Sequence, residues 1–395
     1  FPAGFYYKTF MWPKSFWYKI YEPIIRKAAG LGIAPLKPDP DRYEHKFEHC
    51  DILIVGSGPS GLSSALAAAK NGSRVILAED KPRFGGSLLT DEVTIGNKSG
   101  KDWANETITE LKSMPNVIIK NRSQVFGYYD HNMMVMVERT RDHIKNPSKY
   151  TPRQKLWYIR SKEVIISTGS IERPLVFGNN DRPGIMLASA VKEYMKVYGV
   201  IVGKKPIIFT NNDSGYDTAI DFKKNGINPL VLDVRVNSDS QVIKEAKNLN
   251  IDIKFSYGVV NANGYKKVSS ALIGKLNKEK TGYENLENVS CDCICVSGNW
   301  TPTVHLSSQS GNKLKFDEKA NAFIPNQSKQ NESTIGSANG SSTLKKSLEE
   351  GFTKGFDLSK KIGGKDSKIS IPTSNERSYT QQDKFWCMPL PKSKR

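Results

Sequence analysis

Behind Cys50 the chain runs Asp-Ile-Leu-Ile-Val (51–55), a short apolar block, and then changes to helical spacing over Ser60–Asn71. A second apolar block follows at Arg74–Glu79, so the pattern predicts a strand–helix–strand unit of about 30 residues. A helix near Trp103–Met114 comes next, with strands at Val117–Lys120, Gln124–Tyr129 and Met133–Glu138. A basic, polar stretch (Arg139–Lys155) interrupts the alternation before strands resume at Trp157–Arg160 and Glu163–Ser167. A second unit starts at Pro206–Thr210, passes through a helix at Ser214–Asn225 and ends on Leu230–Asp233. Further strands are read at Ile251–Ser256, Lys266–Ile273 and Val289–Val296, and a last helix at Leu344–Phe352.

Two such starts about 150 residues apart, the second flanked by returns to the first, predict an α/β chain. Its two Rossmann-like dinucleotide-binding domains have the second inserted in the first, as in flavoprotein disulfide reductases. The expected divisions are an aromatic N-terminal arm over 1–45 and a discontinuous domain over 46–188 and 297–362. An inserted domain over 189–296 and a linker over 363–395 complete them. Ten aromatics crowd residues 1–21. That much apolar surface is not left in water, and the arm either covers its own domain or is buried against a partner.

Composition narrows the class. The chain has 395 residues, 38% hydrophobic, and no apolar run near the roughly 20 residues of a membrane helix. The net charge is +18, but lysines are scattered rather than gathered in an Arg-rich stripe, so no nucleic-acid partner is expected. Five cysteines form no disulfide framework, and a reducing cytoplasm is expected. Cys291, Cys293 and Cys295 alternate as small hydrophobes on one strand face, and no metal is assigned to them.

Gly56-Ser57-Gly58-Pro59-Ser60-Gly61 stands between the first strand and its helix, and Glu79 ends the next strand. That context makes the glycines a dinucleotide fingerprint. Gly56 permits the turn, Gly58 admits the pyrophosphate, and Gly61 lets the helix close on the sheet. Glu79 would accept the ribose hydroxyls and repel a 2′-phosphate, although Lys81 and Arg83 stand nearby. Gly85-Gly86-Ser87 would pass beneath the dinucleotide. Val125 is placed for a backbone contact to adenine. Thr168-Gly169 would fold back on the pyrophosphate loop, and the turn around Ala338 would return to the cofactor's middle. The second unit has Thr210-Asn211-Asn212-Asp213-Ser214-Gly215 where a fingerprint would stand, and is expected to bind no dinucleotide of its own. No catalytic residue is assigned, and a lone histidine such as His305 more often satisfies a backbone partner than does chemistry.

Residues 1–13, Pro38–Tyr43, Phe209–Asp213 and Val296–Pro302 resemble the alpha subunits of heterotetrameric sarcosine oxidases, in order from Phe1 to Arg395. The resemblance implies a central piece of such a subunit. It would lack a small N-terminal domain and a C-terminal domain of the aminomethyltransferase type, which binds tetrahydrofolate. It implies NAD in the first Rossmann unit, with contacts from Ser60, Glu79, Asp80, Lys81, Ser87, Val125 and the 337–344 stretch. FAD and FMN would belong mainly to the partner beta subunit, and gamma and delta subunits would complete the assembly. The implied reaction is oxidative demethylation of sarcosine to glycine, yielding H2O2 and either formaldehyde or methylene-tetrahydrofolate. Two alternatives stand beside it: a free-standing FAD/NAD-dependent flavin oxidoreductase, and an oxidoreductase subunit for another amine.

Overall fold

A computed structural model describes residues 12–32, 36–365, 367, 370–376 and 383–389. Phe1, Phe5, Tyr6, Tyr7 and Phe10 of the aromatic opening lie outside them. The described part of the arm forms helical turns over Trp17–Tyr21 and Glu22–Ala28 in which no residue is buried. Trp12 is 84% exposed and Tyr18 80%, so this part of the arm does not cover its own domain.

Strand β1 (Tyr43–Val55) leads through the glycine turn into helix α1 (Pro59–Lys70) and strand β2 (Val75–Ala78). Strand β3 (Gln154–Ile166) lies parallel to β1 along nearly its whole length. These three form the centre of a seven-stranded sheet, flanked by Val117–Lys120 beside β2 and by Met133–Arg139 and Ser123–Tyr129 beyond β3, with Glu332–Thr334 paired to the end of β3. Strand Ile185–Leu187, which precedes the expected boundary at residue 189, opens the insert and is followed by helix α2 (Ala188–Tyr198), strand β4 (Pro206–Thr210), helix α3 (Ser214–Lys224) and strand β5 (Leu230–Asp233). In the second sheet the order is Ile185–Leu187, Cys293–Ser297, β4, β5, Asp252–Phe255, all parallel. An antiparallel three-stranded layer, Tyr257–Asn263, Ser270–Leu276 and Tyr283–Ser290, stands beside it. Helix α4 (Leu344–Lys361) returns to the first domain and packs on α1.

Two strands are longer than their apolar pattern. β1 begins at Tyr43 rather than Cys50, and β3 joins the two short strands read around Lys162 and extends back to Gln154. The added half of β1 pairs with Gln154–Arg160 of β3, Tyr43 opposite Gln154 through His49 opposite Arg160. It is mostly exposed, so alternation is weak there. Cross-strand stacking supports it instead: the Phe47 and Tyr158 rings lie 5.1 Å apart.

Cys291, Cys293 and Cys295 are buried within the second domain's core. Burial pushes the Cys291 thiol up to about 11, which suits packing rather than reactivity. Part of the span read as a linker is core as well, since Phe385 and Met388 are buried against Phe209, Val234 and Val259. Two apolar side chains in a Lys- and Pro-rich setting carry no periodicity, which is why this packing escapes a sequence pattern. No helix among the described residues is long and apolar enough to cross a membrane.

Candidate functional site

The glycine loop is shaped by two close approaches. Gly56 has φ +100°, and a Cβ there would lie 2.4 Å from the Ser167 carbonyl oxygen. A Cβ on Gly61 would lie 2.0 Å from the Gly56 carbonyl oxygen, so only glycine lets α1 descend onto the strand end. The third glycine differs. Nothing lies within 4 Å of the position a Gly58 Cβ would take, and this open space is where a pyrophosphate would sit. The N-cap of α1 is Gly58, which has no side chain to cap it, and the first-turn N–H groups and dipole favour an anion.

Glu79 lies at the end of β2 and is 7% exposed. Its Oε2 accepts from the Ser57 N–H at 2.9 Å and the Ser57 hydroxyl at 2.6 Å, and its Oε1 accepts from the Lys81 N–H at 3.0 Å. Burial, and after it the adjoining Asp80, push its carboxyl above the usual range. The Gly85 N–H donates to the Ser57 carbonyl at 3.0 Å. A Gly86 Cβ would stand 2.9 Å from the Gly58 Cα, so the Gly85–Gly86 backbone runs directly along the fingerprint. Ser87 is exposed in the turn that follows.

The Ser123 N–H donates to the Glu79 carbonyl at 2.7 Å, which sets Val125 two residues beyond the acidic strand end. Ser167 Oγ lies 2.8 Å from both the Val55 and Gly56 carbonyls, fastening the Thr168-Gly169 turn beside the loop. The Thr168 hydroxyl itself turns away and donates to the Thr303 carbonyl at 2.9 Å. A Gly169 Cβ would lie 3.8 Å from Ser337 Oγ, which brings the Gly336–Asn339 turn to the same place. Ala338 is fully buried there, backbone included.

Asp80 stays beside Glu79, and its carbonyl accepts from Arg139 at 2.9 Å. The Lys81 side chain faces elsewhere, its ammonium paired with Glu193 of α2 at 2.8 Å. Arg83 donates to the Val197 carbonyl at 2.9 Å and lies over the Tyr198 ring. Both side chains are therefore directed to the insert. His305 is exposed at the start of a short helix.

The second unit is closed at the equivalent loop. Asp213 has no exposed side-chain surface and pairs with Arg235 at 2.8 Å; Arg235 also holds Asp233 at 2.8 Å. The Tyr216 hydroxyl donates to Asp233 at 2.8 Å.

Three supports were missed by reading motifs alone. A Cβ on Gly351 would be 2.2 Å from the Ser60 carbonyl oxygen, and one on Gly355 2.3 Å from that of Ser64. Their i, i+4 spacing on α4 was the available signal for a close helix crossing. Glu350, one residue earlier, accepts from the Gly336 N–H at 2.8 Å and the Ser341 hydroxyl at 2.7 Å.

Residues 51–122 match the family model of FAD-dependent oxidoreductases. The sarcosine oxidase subunit alpha of Rhizobium meliloti (strain 1021) is 36% identical over 99% of this chain. The chain spans 39% of that curated relative's length. Among solved structures, L-proline dehydrogenase from P. horikoshii aligns with 82% of this chain and 58% of its own, at TM-score 0.61 and 21% identity. T. acidophilum thioredoxin reductase aligns with 80% of this chain and 99% of its own, at TM-score 0.59 and 16% identity. These two likenesses establish the fold: a flavoprotein-type pair of Rossmann-like domains.

Proposed function

Starting from this chain's homology to sarcosine oxidase alpha subunits over 99% of its length, we propose that it is the dinucleotide-binding part of a flavin-dependent amine oxidoreductase. In this reading the first Rossmann unit holds NAD. The observation that carries it is the pairing of open space at Gly58 with the buried acceptor Glu79. The N-terminus of α1 would take the pyrophosphate, Gly86 and Ser87 would pass beside it, and Glu79 would take the adenosine ribose. A carboxylate at this position, with the Lys81 and Arg83 side chains both turned to the insert, disfavours a 2′-phosphate, hence NAD over NADP.

When bound, such a dinucleotide supplies two-electron chemistry at its far end. This chain's own residues bind and orient it, and no acid–base residue is assigned to them. We place amine oxidation on a flavin of a partner beta subunit, within an assembly that also has gamma and delta subunits. There sarcosine, O2 and water would give glycine, formaldehyde and H2O2, with methylene-tetrahydrofolate replacing formaldehyde when folate accepts the carbon.

A second reading, FAD in the same site, is favoured by the family model over residues 51–122. The mass and absorbance of the dinucleotide that co-purifies separate the two. NAD by mass without flavin absorbance is the expected result, and bound flavin without NAD overturns it.

A further inference from the structure

The crevice at the carboxyl ends of the second sheet is where a doubly wound fold takes its ligand. Here it holds a stretch of the chain itself. Asn211, the first residue after β4, accepts from the Asp383 N–H at 3.0 Å through its carbonyl. Its side-chain amide donates to the Asp383 carbonyl at 3.1 Å and to the Phe385 carbonyl at 2.8 Å. Val176 brackets the other end, its N–H donating to the Trp386 carbonyl at 2.7 Å and its carbonyl accepting from the Met388 N–H at 2.8 Å.

Side chains supply the selectivity. Phe385 and Met388 enter the core, and Gly258 forms the floor under Met388, where a Cβ would lie 2.5 Å from its Sδ. Lys280 pairs with Asp383 and lies over the Phe385 ring, while Arg173 lies over the ring of Trp386. Backbone bonds at both ends with pockets for side chains three apart are the features of a groove that reads an extended peptide.

We infer that the second Rossmann crevice is a peptide-reading groove whose resident ligand is Asp383–Pro389. Asn211 lies in the loop that replaces a glycine fingerprint and binds peptide backbone. The segment closes the crevice to dinucleotides and ties the polypeptide after α4 to the insert. This stands apart from the identity of the ligand in the first unit.

The test uses the full chain and hydrogen exchange at the Val176 amide, which lies outside the segment but donates into it. In Phe385→Ser/Met388→Ser, exchange at Val176 is expected to rise on the order of tenfold or more. Excess synthetic peptide of sequence Asp-Lys-Phe-Trp-Cys-Met-Pro should then restore slow exchange, and the same peptide with Ser for Phe and Met should not. Unchanged exchange in the variant, or no rescue by the peptide while the far-ultraviolet dichroism stays native, overturns the inference. Should the double variant fail to fold, Asn211→Ala carries the same comparison. Fast exchange that the peptide leaves fast is expected there, and native exchange overturns the inference.

Discussion

Ser57 holds Glu79 twice, its N–H at 2.9 Å and its hydroxyl at 2.6 Å from the same carboxylate oxygen. The glycine loop and the acidic strand end are thereby one unit, with the acceptor oriented before any ligand arrives. Ser57→Ala removes one of these donors while leaving the carboxylate buried. A charge-assisted hydrogen bond of this type contributes about 1.5–3 kcal/mol, so NAD affinity by calorimetry is expected to fall roughly tenfold or more. An unaltered Kd would mean that Glu79 takes no part in binding.

The protonation state of Glu79 gives the same site a pH signature. Its carboxyl is raised, first by burial and then by Asp80, and only the carboxylate accepts from both ribose hydroxyls. Affinity should therefore weaken on acidification, starting above the ordinary value of 4.5. A Glu79→Gln variant should bind weakly with a flat profile. Parallel profiles for the two proteins would place the titrating group elsewhere.

Gly58→Val separates binding from folding. The residue has φ −67° and ψ −174°, open to any side chain, and its Cβ would meet no neighbour. The valine is expected to abolish NAD binding with the melting temperature nearly unchanged. Asp213→Ala should do the reverse. It removes one of the two carboxylates on buried Arg235, a loss no larger than the roughly 3–5 kcal/mol of breaking a buried pair, and leaves calorimetric affinity as it was. Equal affinity losses in both variants would contradict the asymmetry between the units.

The crossing of α1 and α4 depends on two glycines. Valine at Gly351 or Gly355 would drive side-chain atoms into the Ser60 or Ser64 backbone, and overpacking of this kind costs about 1–3 kcal/mol. Because Ser60 opens the α1 first turn, Gly351→Val should also weaken NAD binding, whereas Thr353→Ala on the exposed face should change neither. Thermal melts and titrations of the three variants decide the matter.

A charged seam joins the units. Glu92 pairs with Lys224 at 2.7 Å and Lys196 at 2.9 Å. The Lys224 hydrogen bond, opposed by partial burial and aided by Lys196, lowers its carboxyl to about 2. The folded value lies below the ordinary 4.5, so this stabilisation is present above 4.5 and is lost as pH falls toward about 2. The difference in melting temperature between wild type and Glu92→Gln should shrink across that window. A constant difference would show that the pair adds nothing.

The strand–helix–strand units, the fingerprint and its acidic partner were legible in the residues because each is local. An apolar block, a glycine spacing and a strand-end carboxylate all fall within about 30 residues, and backbone sterics and burial dictate what they form. The weakness of the second fingerprint was legible for the same reason, since Asn211–Asp213 lack the glycines a pyrophosphate needs. Tertiary structure alone decided what fills that loop. Arg235 reaches Asp213 across 22 residues, and Asp383 reaches Asn211 across 172. It also decided the fate of Lys81 and Arg83, which look like phosphate ligands in sequence but are drawn to α2. A side chain's partner is set by which surfaces meet when the sheets assemble, and that contact is non-local, so no periodicity or motif records it.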